Sequence, residues 1–151
     1  VYSRDFFTKD PKETISVGRS LGSHLKGGET ILLTGGLGTG KTVFTKGIAL
    51  SLDIDPGTPV VSPSFTLVNI YKARLDIVHV DLYRLDVNEV WTIGLEDYMD
   101  GKHVIIVEWG DALRDILPPP VIDVHLEYTG ETERKISIKG DIGILKNHEN
   151  K

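Results

Sequence analysis

Between positions 35 and 42 the chain reads Gly35-Gly36-Leu37-Gly38-Thr39-Gly40-Lys41-Thr42, and no other stretch constrains its fold as strongly. Four of these eight residues are glycine, so the backbone can enter conformations that a Cβ forbids. The stretch fits G-x-x-x-x-G-K-[ST], in which a glycine-rich turn wraps successive N–H groups around a polyphosphate. Such a turn has to sit between a buried strand and a helix. Thr30-Ile31-Leu32-Leu33-Thr34 reads as the strand, and Val43 to Leu52 reads as the helix. That helix directs its positive N-terminal end at the phosphates. Residues 35–40 form the cradle, Lys41 reaches the β- and γ-phosphates, and the Thr42 hydroxyl is the Mg²⁺ ligand.

The rest of the chain organises around this unit. Its 151 residues suit one domain with a proper core, and 40% hydrophobic with 26% charged residues is a globular composition. Residues 1–8 read as a short edge strand. Asp10-Pro11-Lys12-Glu13 reads as a capped helix start, with Ile15, Gly18, Leu21 and Leu25 at helical spacing and Gly27-Gly28 as the stop. Leu67 to Tyr71 and Ile77 to Leu82 predict an antiparallel hairpin. Asp86-Val87-Asn88-Glu89 predicts the start of a helix through about Asp100. His103 to Val107 reads as a buried strand, Asp111 to Ile116 as a short helix, and Val121 to Tyr128 with Arg134 to Ile138 as a second hairpin. The expectation is a single α/β domain over residues 1–140, P-loop NTPase-like. Its mixed sheet has a parallel centre, antiparallel hairpins and helices on both faces; residues 141–151 form a tail or short helix.

Composition narrows the chemistry. Cysteine is absent, so no disulfide framework, cysteine nucleophile or thiolate metal site exists. No apolar run approaches the ~20 residues of a membrane helix, and residues 1–10 lack an apolar signal core. A soluble, cytoplasmic protein is expected, without membrane contact. The net charge of −5 offers no basic field for nucleic acid. Arg134, Lys135 and Lys139 lie among acidic neighbours and read as a solvated strand face.

A phosphate loop needs a carboxylate at the end of a neighbouring strand, to hold Mg²⁺ or to polarise the attacking water. Asp81 follows Ile77-Val78-His79-Val80, and Glu108 follows Val104-Ile105-Ile106-Val107. Both fall at carboxyl ends of strands, where open α/β sheets bind ligands. His79, between two valines, reads as a packed core histidine, or one that supports a neighbouring site residue, rather than a base. Ser62-Pro63-Ser64-Phe65-Thr66 lies where a segment sensing the γ-phosphate would lie, and also reads as a plain turn into a strand. Trp109 suits either the site border or the core. The guanine-specifying N-K-x-D is missing, which favours ATP. Arg74, Arg84 and Arg114 are dispersed rather than grouped as in a lid. A hydrolase, a kinase of a small metabolite and a nucleotide-sensing module without turnover all fit these residues.

Several motifs in order resemble one family. After the phosphate loop come Ser62-Pro63-Ser64-Phe65-Thr66-Leu67, His79-Val80-Asp81-Leu82-Tyr83-Arg84-Leu85, Gly94-Leu95 with Asp97-Tyr98, and Val107-Glu108-Trp109. Over about residues 6–139 the chain resembles the TsaE (YjeE) family, small ATPases of bacterial threonylcarbamoyladenosine tRNA modification. The resemblance implies ATP and Mg²⁺ as ligands, with Lys41 on the phosphates, Thr42 and Glu108 at the metal, and Asp81 assisting metal or water. It implies that Ser64 and Thr66 belong to a switch-like segment, that Trp109 borders the site, and that Pro11 to Thr14 lie near adenine. It also implies action on the TsaB–TsaD complex; the charge balance leaves tRNA contact to that partner, and the scarcity of nearby arginines predicts slow turnover without it. Two positions depart from the family pattern: Gly36 stands where an aspartate is usual, and Ser64 where a threonine is usual.

Overall fold

The computed structural model describes residues 2–36, 38–64, 66–86, 88–117, 119–142 and 145. Its regular elements are β1 (Tyr2–Thr8), α1 (Pro11–Gly22), β2 (Thr30–Thr34), α2 (Lys41–Ser51), β3 (Val68–Tyr71), β4 (Ile77–Asp81), β5 (Val104–Glu108), β6 (Val121–Tyr128) and β7 (Arg134–Gly140). Short 3-10 helices span Val90–Ile93, Leu95–Tyr98 and Asp111–Ile116.

Every residue of β4 and β5 is buried, and so is all of β2 except Thr34. Strands apolar on both faces need cover on both, which places them at the centre of a sheet. The seven strands form one sheet in the order β1-β7-β6-β2-β5-β4-β3. The centre, β6-β2-β5-β4, is parallel; β3 adds antiparallel to β4, and β7 and β1 add antiparallel beyond β6. Side chains alternate between two cores. Ile31, Leu33, Ile77, Ile106, Val124 and Leu126 pack with Leu21, Phe44 and Ile48 of the two α-helices. Leu32, Val78, Val80, Ile105 and Val107 pack on the opposite face with Leu95, Leu113 and Leu117, within or beside the 3-10 helices. Helices therefore cover both faces, but the α-helices share one.

Local signals account for the start of α1. The Asp10 carboxylate accepts from the Glu13 N–H at 2.9 Å, and Pro11 occupies the first turn, where its missing N–H costs nothing. The helix ends earlier than the glycine pair predicts, at Gly22, with Ser23 as its C-cap. Leu25 still reaches the core, from a turn in which its N–H bonds Gly22 O. Gly27 and Gly28, at φ 104° and 95°, instead shape the turn into β2.

The long helix expected after Asp86 does not form. Asp86 does cap the Asn88 and Glu89 N–H groups, and Glu89 reaches back to the Asp86 N–H. The two 3-10 turns that follow are separated by Gly94 at φ 74°, a left-handed residue that an α-helix cannot carry through. Asp111–Ile116 is likewise 3-10. Val87 lies outside the described residues, as does most of the expected tail, although Ile142 and Leu145 join the α-side core.

The two α-helices meet backbone to backbone. A Cβ on Gly18 would lie 2.4 Å from the Phe44 carbonyl oxygen, and one on Gly47 would lie 2.3 Å from that of Ile15. Gly47→Ala should therefore push α1 and α2 apart, at about 1–3 kcal/mol of stability. Scanning calorimetry should show a Tm lower by roughly 2–4 °C per kcal/mol. Gly57→Ala, whose Cβ would meet only Asp55 Oδ1 at 3.5 Å, is the control and should leave Tm almost unchanged.

Candidate functional site

The loop between β2 and α2 is held open by its glycines. Gly35, Gly38 and Gly40 take φ of 138°, 77° and 103°. The Thr39 hydroxyl closes the turn on Gly36 O at 2.8 Å. Gly36 itself needs no special backbone angle, and a Cβ there would meet nothing within 4 Å, so the residue leaves space rather than relieving strain. Leu37 lies outside the described residues. Lys41, the first residue of α2, is 7% exposed. Its Nζ donates to Gly35 O at 2.7 Å, lies 3.9 Å from Glu108 Oε1, and sits 4.7 Å from the centroid of the Trp109 ring.

The parallel sheet brings the two carboxylates to this lysine. Asp81 and Glu108 are register partners across β4 and β5, and Glu108 is also level with Leu33 of β2. Glu108 Oε2 lies 2.6 Å from His79 Nε2, beneath the cleft. Asp81 Oδ1 accepts from the Tyr83 N–H at 2.9 Å; its Oδ2 accepts from the Ser62 and Ser64 hydroxyls at 3.3 and 3.5 Å. The same segment is tied down again where the Asp81 N–H bonds Leu67 O. Lys41, Thr42, Ser62, Ser64, Asp81 and Glu108 thus face one cleft of about 520 Å³. Thr66 does not join them: it is exposed, and its hydroxyl bonds Asn69 at 2.9 Å.

Trp109 walls the cleft and is 41% exposed. Its φ of 60° is left-handed, a position that costs a residue with a side chain about 1–2 kcal/mol. Two contacts fix the ring there, Lys41 on one side and Tyr83, whose ring centroid is 4.9 Å away. Tyr83 and Arg84 also line the cleft. Both stand in the motif that begins at His79, just past the end of β4, but sequence alone assigns them no site role. Arg74 and Arg114 are instead occupied with Asp53 and with Asp111 and Asp123.

A smaller cleft of about 150 Å³ continues past the loop and shares Gly38, Gly40 and Val43 with the first. Pro11 and Thr14 wall it from α1. The Thr14 hydroxyl is taken by Thr8 at 2.9 Å, so its methyl group faces Gly40. Opposite stand Glu131, Thr132 and Arg134 from the β6–β7 hairpin. Arg134 corrects its assignment to a solvated strand face. Its Nε donates to Thr39 O at 3.0 Å and its Nη2 approaches Gly38 O at 3.5 Å. Its Nη1 bonds the hairpin carbonyls of Glu131 and Glu133, and its guanidinium lies 4.4 Å from the centre of the Tyr128 ring. Arg134 and Tyr128 are cross-strand partners flanking a short turn, a pairing legible in the sequence; their reach to the loop is not.

A parallel-centred sheet with a strand–glycine loop–helix unit, and acidic residues at the ends of adjacent strands, defines a P-loop NTPase-like domain. Comparison with known proteins makes this specific. The family model for threonylcarbamoyl adenosine biosynthesis protein TsaE matches residues 8–136. A tRNA threonylcarbamoyladenosine biosynthesis protein TsaE from Nostoc sp. is 39% identical over 137 residues, covering 87% of this chain and 83% of its own. The protein of the same name from Treponema pallidum is 33% identical, covering 87% and 96%. The crystal structure of Bacillus subtilis YdiB superposes with a TM-score of 0.77 at 30% identity, covering 98% of this chain and 97% of that one. The chain belongs to the TsaE family.

Arg134 ties the loop to a hairpin 95 residues away, and removing it should loosen the cradle. Under the nucleotide-binding function proposed below, Arg134→Ala should raise the Kd for ADP by about tenfold, equivalent to ~1.4 kcal/mol. Arg134→Lys should recover only a small part, because a single ammonium cannot span carbonyls on both loops as a planar guanidinium does. Isothermal titration of the two folded variants checks both expectations.

Proposed function

We propose that this protein binds and hydrolyses ATP with Mg²⁺ in the cytoplasm, and that it drives the TsaB–TsaD transferase complex in threonylcarbamoyl adenosine modification of tRNA. The observation that carries this is the convergence of one buried lysine and two buried carboxylates on the cleft at the phosphate loop. A phosphate-binding loop with a lysine and no carboxylate would only hold nucleotide. The two acids add the means to act on a metal or on an attacking water.

The donor set suits Mg²⁺, which prefers hard oxygens and takes one or two carboxylates along with substrate phosphates. Thr42, Asp81 and Glu108 are such donors. Among the described residues no three His, Cys, Asp or Glu side chains form a cage that would hold a metal without phosphate. Bound Mg²⁺ would neutralise charge on the β- and γ-phosphate oxygens. Lys41 would supply a further positive charge, released from Gly35 O to the phosphates. Ser62 and Ser64, bonded to Asp81, are placed to respond when a γ-phosphate arrives beside that carboxylate.

Among the described residues, Lys41 and Arg84 are the cations lining the main cleft. That is a small set for a developing phosphoryl charge, and it fits an enzyme completed by a partner. Recruitment through protein rather than tRNA agrees with the net charge of −5 and with Lys135 lying within 3.8 Å of both Asp5 and Glu127. Among the described residues no helix is long and apolar enough to cross a membrane.

Phosphate release should be slow for the protein alone, unchanged by tRNA, and raised by the TsaB–TsaD complex. Stimulation by tRNA alone, or a discrete phosphorylated metabolite, would overturn this function. Glu108→Gln and Asp81→Asn should each lower turnover by ~10²-fold or more while nucleotide still binds. Turnover at the wild-type rate in both would leave the carboxylates without a chemical role.

A further inference from the structure

His79 is fully buried, with Nε2 2.6 Å from Glu108 Oε2. Its other ring nitrogen, Nδ1, is also buried and has no hydrogen-bond partner among the described residues. One ring nitrogen is thus buried and unpaired, while the other holds a carboxylate. A carboxylate oxygen accepts, so the ring nitrogen facing it is the donor of this pair.

The two Glu108 oxygens consequently have different surroundings. Oε2 is anchored below by the imidazole, and Oε1 lies 3.9 Å from Lys41 Nζ at the floor of the cleft. A direct ammonium–carboxylate hydrogen bond is shorter, about 2.7–2.9 Å. Both groups are almost wholly buried, where attraction between them is strong. Two bonds oppose their closing: Gly35 O holds the ammonium at 2.7 Å, and the imidazole holds the carboxylate at 2.6 Å from the other side. We propose that His79 is the positioning residue of Glu108. It holds the carboxylate back from Lys41, leaving the lysine available to phosphate and Oε1 available to the metal or the attacking water. The inference rests on the nucleotide-hydrolysing function above, but its structural part stands without it.

The test uses His79→Leu, which removes the donor and the orphan nitrogen together, and His79→Gln, which restores an N–H donor. A crystal structure of the ligand-free leucine variant should show Glu108 closed onto Lys41, with Oε1 within about 3.2 Å of Nζ, a hydrogen-bonding separation. The Kd for Mg²⁺–ADP should rise about tenfold in the leucine variant and return to within about threefold of wild type in the glutamine variant. Each fold-change converts to free energy as RT ln of the ratio. In a Glu108→Gln background, His79→Leu should add no more than about twofold, because coupled residues lose their effect once the partner is gone. A Glu108 that stays near 3.9 Å from Lys41 in the folded leucine variant would overturn the proposal. So would an equal loss of binding in both backgrounds. The structural readout needs no nucleotide, so a wild-type protein that binds ADP without turnover would refute the hydrolytic function and leave the positioning of Glu108 separately decided.

Discussion

The structure is organised around two opposite charges placed where water hardly reaches. Lys41 is 7% exposed and Glu108 is 3% exposed. An isolated charge at such depth would be prohibitively costly, and even a pair is stable only if its remaining valences are met. Each neighbouring element supplies part of that compensation. The first glycine of the loop offers its carbonyl to the ammonium, β4 offers an imidazole to the carboxylate, and the residue after Glu108 turns left-handed to bring an aromatic face against the lysine. Asp81, alongside on β4, is satisfied by a backbone N–H and by serines from the preceding loop. The parallel register that sets Asp81 level with Glu108 is therefore as much part of the site as the loop itself.

What could be read from the sequence was whatever is decided within a few residues. The strand–glycine loop–helix unit, the Asp10 cap and both hairpins depend on local pattern, and they stand in the structure with boundaries shifted by a few residues. The helix expected after Asp86 shows the limit of local evidence. Its cap forms as written, but Gly94 interrupts what the cap began. The same limit governs the site. Asp81 and Glu108 sit at strand ends and could be picked out as the first polar residues after apolar runs. Arg134 could not, because its partners are loop carbonyls brought close only by the antiparallel strands β6 and β7 beyond the parallel centre. Ser62 and Thr66 flank the same turn, and composition could not say that Ser62 faces Asp81 while Thr66 turns to Asn69.

The faces of the sheet are covered unequally, and the difference follows the site. The α-side carries two regular helices in backbone contact and the phosphate loop that begins one of them. The opposite side is closed over β4 and β5 by short 3-10 turns whose few internal hydrogen bonds give them less autonomy. Regular helix is thus concentrated behind the glycine loop, while short turns form the covering on the other face.

The glycine crossing of α1 and α2 carries a consequence for ligand fit. The walls of the smaller cleft begin at the N-termini of these helices, Pro11 and Thr14 on one and Gly40 and Val43 on the other. With Gly18 against Phe44 O and Gly47 against Ile15 O, main-chain atoms fix the spacing between the helices. The gap therefore behaves as a calliper locked at one setting. Substitutions elsewhere on the two helices can alter charge and solubility without resetting it.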